Sequence, residues 1–274
     1  MRPPRLSITV VTYHTDRAVL ERAMASVERA VVHAREKGAI SEATLFVVHN
    51  GPDSEADAVR QACASFSSCG KVQILQGHGN VGYGRANNLV LPRLESDLHL
   101  VMNPDVELDE DAIAAAIAVL RDDASIGAVA PSVRDLRGGG EHLCKRYPSV
   151  WVLFLRGFAP EFLRARFAAT LDAYEMRDLP ADRVTRAVPL ASGCFMLLRT
   201  DLFRRLGGFD PRFFMYFEDY DLSLRIGREA RVAYAPQARI VHHGGEASRK
   251  GARHVAWFAA SAWRFFATHG WKLA

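Results

Sequence analysis

Long apolar runs are missing from this 274-residue chain, which nowhere approaches the roughly 20 consecutive apolar residues a helix needs to cross a bilayer. A helical membrane span is thereby excluded, and a soluble or peripheral protein is expected. Cysteine is scarce too: Cys63, Cys69, Cys144 and Cys194 stand apart, in no zinc-like spacing. The opening Met1-Arg2-Pro3-Pro4 carries no secretory signal, so the expected setting is a reducing cytoplasm without disulfides. Nor is there a basic run. The 35 Lys and Arg against 31 Asp and Glu give a formal charge of +4 and a sequence pI near 9.0. That balance suits an anionic ligand or a membrane surface and is too mild for a nucleic-acid groove. Internal repeats and low-complexity tracts are also lacking, which excludes solenoids and disordered linkers.

What is present is a chain 49% hydrophobic, long enough to bury a substantial core as one globular unit. Leu6 to Tyr13 is a β-branched apolar run, followed by a helical pattern through Leu20, Met24 and Val27. Further strands are predicted at Ala43 to Val48, Val72 to Leu75, Leu98 to Met102 and Ala128 to Ala130. They alternate with helices near Asp53 to Phe66, Gly84 to Leu94 and Asp109 to Leu120. Successive crossovers of this kind give an α/β fold with a mostly parallel sheet. From Val133 to Pro189 the periodicity weakens: Arg134 to Gly140 reads as a loop, and Trp151 to Phe167 as a basic, aromatic helical stretch.

Two acidic sites stand out. Glu218, Asp219 and Asp221 lie among Phe213, Phe214, Met215, Tyr216, Phe217 and Tyr220. Burial raises a carboxylate's proton affinity and a nearby cation lowers it, so such a cluster can keep one acid as a base. It also reads as an ordinary helix start, with Asp221 paired to Arg225 at i,i+4. Upstream, the strand Leu98 to Met102 runs straight into Asn103-Pro104-Asp105. Pro104 stops the strand and leaves Asp105 at its C-terminal end, where open α/β sheets place their ligand crevice. Asp109 is the better candidate to start the following helix.

Other polar groups reach the same edge. The first strand ends in Thr12-Tyr13-His14 and the second in His49-Asn50-Gly51-Pro52-Asp53. His78-Gly79-Asn80-Val81-Gly82-Tyr83-Gly84-Arg85-Ala86-Asn87-Asn88 is a glycine-rich turn entering a helix, a geometry in which backbone amides approach phosphate or sugar oxygens. Its spacing is not that of a dinucleotide fingerprint, and it follows the third strand rather than the first. Ser192-Gly193-Cys194 lies between strand-like segments, where small residues suit close approach of a sugar or tight backbone packing.

In order along the chain, VVTYH, HGNVGYGRANN, MNPDVEL, KRYPS, ASGCFMLLR, GGFDPRFFMYFEDYDLSLR and YAPQARIVHHGG resemble a family 2 glycosyltransferase of the GT-A fold. The likeness is strongest to the bacterial rhamnosyltransferases that extend lipid-linked sugars in O-antigen and other cell-surface polysaccharides. It implies a GT-A domain over residues 1–250, with an acceptor-side insertion at 133–189 and a C-terminal amphipathic helical extension at 251–274. It further implies an inverting, metal-dependent transfer of rhamnose from dTDP-rhamnose onto a polyprenyl-diphosphate saccharide. Asp219 matches the family's general base, and Glu218 orients the base or the acceptor. Thr12, Tyr13, Asn50 and Asp53 fall where the nucleotide base and ribose bind, although His49 stands where the family commonly has aspartate. Asn80, Gly82, Arg85, Asn103 and Asp105 complete the donor site, and Asp105 with His242 would hold Mn2+ or Mg2+.

Two other classes remain open at this point, a sugar nucleotidyltransferase and a non-catalytic nucleotide-sugar binding protein. The first should carry an N-terminal glycine-rich loop with a basic residue, which Val10 to Asp16 lacks. The aromatic run Trp257 to Phe266 suits a lipid headgroup surface, packing on the enzyme, or a homodimer contact. The expected location is cytoplasmic, peripheral on the inner face of the bacterial cytoplasmic membrane, with Lys145, Arg146 and Arg156 toward the acceptor diphosphate.

Overall fold

The computed structural model describes residues 2–134, 142–243 and 251–274; apart from Arg134, the loop expected at Arg134 to Gly140 lies outside them. The N-terminal half alternates as expected. Its elements are β1 (Leu6–Thr12), α1 (Arg17–Glu36), β2 (Ala43–His49), α2 (Ala56–Ala62), β3 (Lys71–Leu75), α3 (Tyr83–Asn88), β4 (Leu98–Met102), β5 (Val106–Leu108), α4 (Ala112–Asp122) and β6 (Ile126–Val133). There follow β7 (Cys144–Lys145), α5 (Val150–Gly157), α6 (Glu161–Arg166), α7 (Ala168–Tyr174), β8 (Leu190–Ala191), β9 (Phe195–Arg199), α8 (Thr200–Arg205), α9 (Glu218–Ile226), β10 (Arg231–His242) and α10 (Ala252–His269).

Eight strands form one sheet in the order β3-β2-β1-β4-β9-β6-β10-β5, while β7 and β8 pair separately. Neighbours are parallel except around β9, which runs antiparallel to both β4 and β6, and at the β10–β5 edge. All seven residues of β1 are buried, the continuous apolar pattern of a strand covered on both faces. On one face α1 and α4 supply Leu20, Met24, Val27, Val31, Ile113 and Ile117 to the core; Phe203, Phe209, Leu222 and Ile226 pack on the other.

The predicted helices shorten where local chemistry interrupts them. The segment near Asp53 to Phe66 divides into α2 and flanking 3-10 turns. Pro92 holds the end of the Gly84 to Leu94 segment to a 3-10 turn, and Pro160 splits Trp151 to Phe167 into α5 and α6. Asp109 does not cap α4 with its side chain. Its carbonyl accepts from the Ala112 amide while its carboxylate pairs with Arg134, and α4 begins at Ala112.

The C-terminal helix packs on α5 and on the segment leading into α9. Leu153 of α5, Phe213, Phe217 and the α10 residues Phe265 and Phe266 form a third apolar cluster, flanked by Tyr147, Tyr216, Tyr220 and Phe258. Fully buried side chains of this size each contribute about 1.5–3 kcal/mol. The chain end is tied down further, since Lys272 and Leu273 accept hydrogen bonds from the Val150 and Trp151 amides at 2.8 and 3.0 Å. No helix among the described residues is long and apolar enough to cross a membrane.

Candidate active site

The C-terminal ends of β1, β2 and β4 open on a cavity of about 700 Å³, closed on its other sides by α5, α9 and α10. Reversal of β9 determines what meets there. Because β9 runs against β4, its N-terminal end arrives at the crevice, and the Asn103 amide donates to the Cys194 carbonyl at 2.9 Å. The turn after β4 and the Ser192-Gly193-Cys194 turn are thereby placed side by side.

Glu218 and Asp219 open α9 on this cavity. The preceding Tyr216 and Phe217 both adopt left-handed backbone, at φ 69° and 64°. Non-glycine residues in that region cost on the order of 1–3 kcal/mol each and persist where surrounding structure imposes them. Here Phe217 is packed by Phe258, Phe265 and Tyr220, and the Tyr216 hydroxyl lies 2.9 Å from His254 Nδ1. The helix is anchored from its far side by Asp221. One carboxylate oxygen of Asp221 meets Arg225 Nε at 2.7 Å and the other meets His269 Nε2 at 2.8 Å, all largely buried. Arg225 also donates to the Leu206 and Gly208 carbonyls. The expected Asp221–Arg225 pair is present, and α10 adds a third member to it.

The two acids differ in their surroundings. Asp219 is half-buried; its Oδ2 accepts from the Gly193 amide and its Oδ1 from the Tyr220 amide, each at 2.9 Å. Burial raises its proton affinity, and those amide bonds oppose the rise. Glu218 is only 6% exposed, and its Oε2 has no hydrogen-bond partner. Burial, then the neighbouring Asp219 charge, push its pKa from 4.5 up to about 8. Hydrogen bonding to a carboxylate favours the charged form, whereas an unpartnered buried oxygen favours the neutral one. The pair therefore carries its shared proton on Glu218 at neutral pH and leaves Asp219 the more readily ionised of the two.

Across the cavity, Asn103, Pro104 and Asp105 line the wall. The antiparallel pairing of β10 with β5 sets His242 opposite Val106, so its Nε2 lies 3.5 Å from Asp105 Oδ1, while His243 turns to Glu107 at 2.8 Å. Among the described residues, no group of three or more His, Cys, Asp and Glu side chains converges on one point. One carboxylate on the cavity wall, with an imidazole 3.5 Å behind it, nevertheless fits a divalent cation whose remaining ligands are water and substrate oxygens.

The remaining predicted residues fall into two groups. Tyr13, Asn50 and Asn80 line the cavity. Asn50 is held by its own bonds, Nδ2 donating to the Gly82 carbonyl and Oδ1 accepting from His78 Nε2. Thr12, Asp53, Gly82, Arg85 and His242 are not part of its lining. Thr12 is buried against His49, whose Nδ1 is 3.0 Å from its hydroxyl and whose Nε2 is 3.0 Å from the Pro52 carbonyl. Asp53 is exposed at the start of a 3-10 turn. Arg85 donates to the Pro211 carbonyl at 2.6 Å and so ties α3 to the segment leading into α9. Gly82 has φ 87°, and a Cβ there would lie 2.3 Å from the Phe214 carbonyl oxygen. The close approach lets the Tyr83 amide donate to that same oxygen at 3.0 Å.

Sequence reasoning missed Tyr83, Tyr174, His254 and Phe258 as cavity residues. Tyr83 sits within the glycine-rich block already singled out, and its hydroxyl donates to the Gly193 carbonyl at 2.7 Å. His254 carries no local signal and Phe258 lies in the aromatic run already singled out; only the docking of α10 brings either to the site.

A mostly parallel sheet flanked by helices, with a polar crevice at its strand ends, is the architecture of the GT-A class. The family model described as "Glycosyltransferase like family 2" matches residues 3–265, and the chain belongs to that family of glycosyltransferases. The N-acetylglucosaminyl-diphospho-decaprenol L-rhamnosyltransferase of Mycobacterium tuberculosis is 30% identical over 215 residues, which cover 73% of this chain and 69% of that one. Rhamnosyltransferase WbbL of Escherichia coli is 25% identical, with 81% of each chain covered. Among solved structures, a mannosyltransferase from Pyrobaculum calidifontis, in complex with GDP-Man and Mn2+, superposes with a TM-score of 0.61 at 19% identity. That match covers 96% of this chain and 65% of the mannosyltransferase's length.

Proposed function

We propose that this glycosyltransferase moves rhamnose from dTDP-rhamnose onto a lipid-linked saccharide, with inversion and with a divalent cation at Asp105 and His242. The observation that carries the proposal is the arrangement of one cavity, with the Glu218–Asp219 pair on one wall and Asp105, backed by His242, on another. The names of the two relatives support the sugar, and the diphospho-decaprenol in one name supports the acceptor class.

In this mechanism Asp219 accepts the proton of the acceptor hydroxyl as that oxygen bonds to the anomeric carbon. The bond from that carbon to the donor diphosphate breaks on the opposite face, and the configuration inverts. The Gly193 and Tyr220 amides keep the Asp219 carboxylate oriented through the step. Protonated Glu218 avoids a second negative charge beside it. A divalent cation held by Asp105 and His242, with Asn103 beside them, would supply neutralisation of the charge on the departing diphosphate. The donor base and ribose are assigned to the wall formed by Tyr13, Asn50 and Asn80. A lipid-linked acceptor assigns the enzyme to the inner face of the cytoplasmic membrane as a peripheral protein.

The test is calorimetric binding of dTDP-rhamnose, UDP-sugars and GDP-sugars with and without Mn2+ or Mg2+, followed by transfer to a short-chain prenyl-diphosphate N-acetylglucosamine. Selective, cation-dependent binding of dTDP-rhamnose and formation of an inverted product are expected. Preference for another nucleotide-sugar overturns the donor assignment, and metal-independent transfer overturns the role given to Asp105 and His242.

A further inference from the structure

One stripe of α10 follows the segment that carries the acidic pair. His254, Phe258, Ser261, Phe265 and His269 recur at three- and four-residue intervals and so share a face of the helix. His254 Nδ1 lies 2.9 Å from the Tyr216 hydroxyl, and Phe258 and Phe265 pack on the Phe217 ring. The Ser261 hydroxyl donates to the Met215 carbonyl at 2.8 Å, and His269 Nε2 meets Asp221 Oδ1 at the same distance. Ser261 is 3% exposed and the His269 side chain is equally buried. Apolar residues would serve packing alone. Buried polar ones cost free energy unless their hydrogen bonds are made, and they thereby specify one geometry.

The segment they hold lacks support of its own. Residues 211–215 belong to no helix or strand, Tyr216 and Phe217 are left-handed, and α9 has no side-chain cap at its start. From one side α3 holds the Pro211 and Phe214 carbonyls, through Arg85 Nε and the Tyr83 amide. From the other side α10 holds the Arg212 and Met215 carbonyls, through Arg264 and Ser261. The two grips alternate along the backbone up to the turn before Glu218. Past the turn, His269 and Arg225 take the two oxygens of Asp221. Asp221 lies roughly 200° around the helix from Asp219, so fixing one sets the rotation at which the other meets the Gly193 amide.

From this geometry we infer that Ser261 and His269 are positioning residues for the proposed base: α10 holds the strained turn and α9 so that Asp219 presents its carboxylate to the cavity. The inference rests on the reading of Asp219 as the base and adds to it the residues that aim it. The test compares Ser261→Ala, His269→Ala and His269→Gln in the full chain, glutamine keeping an N–H donor near the place of His269 Nε2. A 1 Å misplacement can cost on the order of 10²-fold in rate, so each alanine variant should lower kcat at least about tenfold for transfer from dTDP-rhamnose to a short-chain prenyl-diphosphate N-acetylglucosamine. Calorimetric affinity for dTDP plus Mn2+ should stay within about twofold, as expected when an interaction outside nucleotide binding is lost. His269→Gln should recover most of the turnover. Added to Asp219→Asn, neither alanine should lower the residual single-turnover rate more than about twofold, because the group it aims is gone. With Asp219→Asn impaired as expected, three results would each overturn the inference alone: unchanged kcat in both alanine variants, a full further loss in the Asp219→Asn background, or an equal loss of dTDP affinity. Wild-type turnover in Asp219→Asn would overturn the base reading and the inference with it. Hydrogen exchange needs no substrate and decides the matter even where dTDP-rhamnose is not the donor. The Tyr220 amide, which donates to Asp219, should exchange about tenfold faster in both alanine variants, and unaltered exchange there would sink the inference.

Discussion

Glu218→Gln isolates the proton that the acidic pair holds. In the folded protein the Glu218 carboxyl ionises near pH 8 because it is buried beside Asp219, against 4.5 for the ordinary side chain. A folded-state pKa raised in this way means that the folded state binds more protons than the unfolded state across that interval, so stability falls as pH rises from about 4.5 to about 8. Below that window both states are protonated and nothing is lost; above it the full cost of ionising a buried carboxylate is present. At ~1.4 kcal/mol per pH unit the limit is about 5 kcal/mol, and because Asp219 shares the proton, a change of roughly 3–5 kcal/mol belongs to the pair. The neutral glutamine is nearly isosteric and removes Glu218's contribution. Urea denaturation of wild type and Glu218→Gln at pH 5 and pH 8 measures the effect directly. The variant is expected to gain several kcal/mol on wild type between the two pH values. A stability difference that stays constant over this range would refute the assignment of a shared proton.

Four further substitutions test the site and its support. Asp219→Asn should lower kcat about 10²–10⁴-fold, the usual range for loss of a general base, and leave nucleotide-sugar affinity nearly unchanged; single-turnover transfer and calorimetry separate the two. Asp105→Ala should abolish the Mn2+-dependent part of donor binding, about tenfold or more, while metal-free affinity stays put in the same titrations. Arg225→Ala leaves Asp221 buried with only His269 as a side-chain partner, and should cost about 3 kcal/mol or more in urea unfolding. Gly82→Ala forces a Cβ to within 2.3 Å of the Phe214 carbonyl at a positive φ, so a loss of about 2 kcal/mol or more, with reduced activity, is expected.

Much of the site could be read from local chemistry. The β-branched run of β1, the proline stop after β4 and the acids among aromatics before Tyr220 are all nearest-neighbour signals, and the sheet places them as expected at one crevice. What eluded the sequence is long-range pairing. Phe195–Arg199 is an apolar run whatever its direction, and only its antiparallel register with Leu98–Met102 puts Gly193 on the Asp219 carboxylate. Nor does periodicity say where α10 docks, so His254 and Phe258 were invisible as cavity residues. Arg85, a basic residue in a glycine-rich block that fits a ligand or a helix surface equally well, donates its Nε to the Pro211 carbonyl and lies outside the cavity lining.

Asp219 is held by two main-chain amides, one from the turn before β9 and one from its own helix. Side-chain donors are erased by single substitutions, but a main-chain donor survives every replacement except proline. Under the proposed function, sequence drift around the cavity is therefore free to reshape the sugar and acceptor pockets through side chains such as Tyr13, Tyr83 and Tyr174 while Asp219 keeps its aim. A scaffold wired in this way lets specificity diversify without rebuilding the catalyst each time.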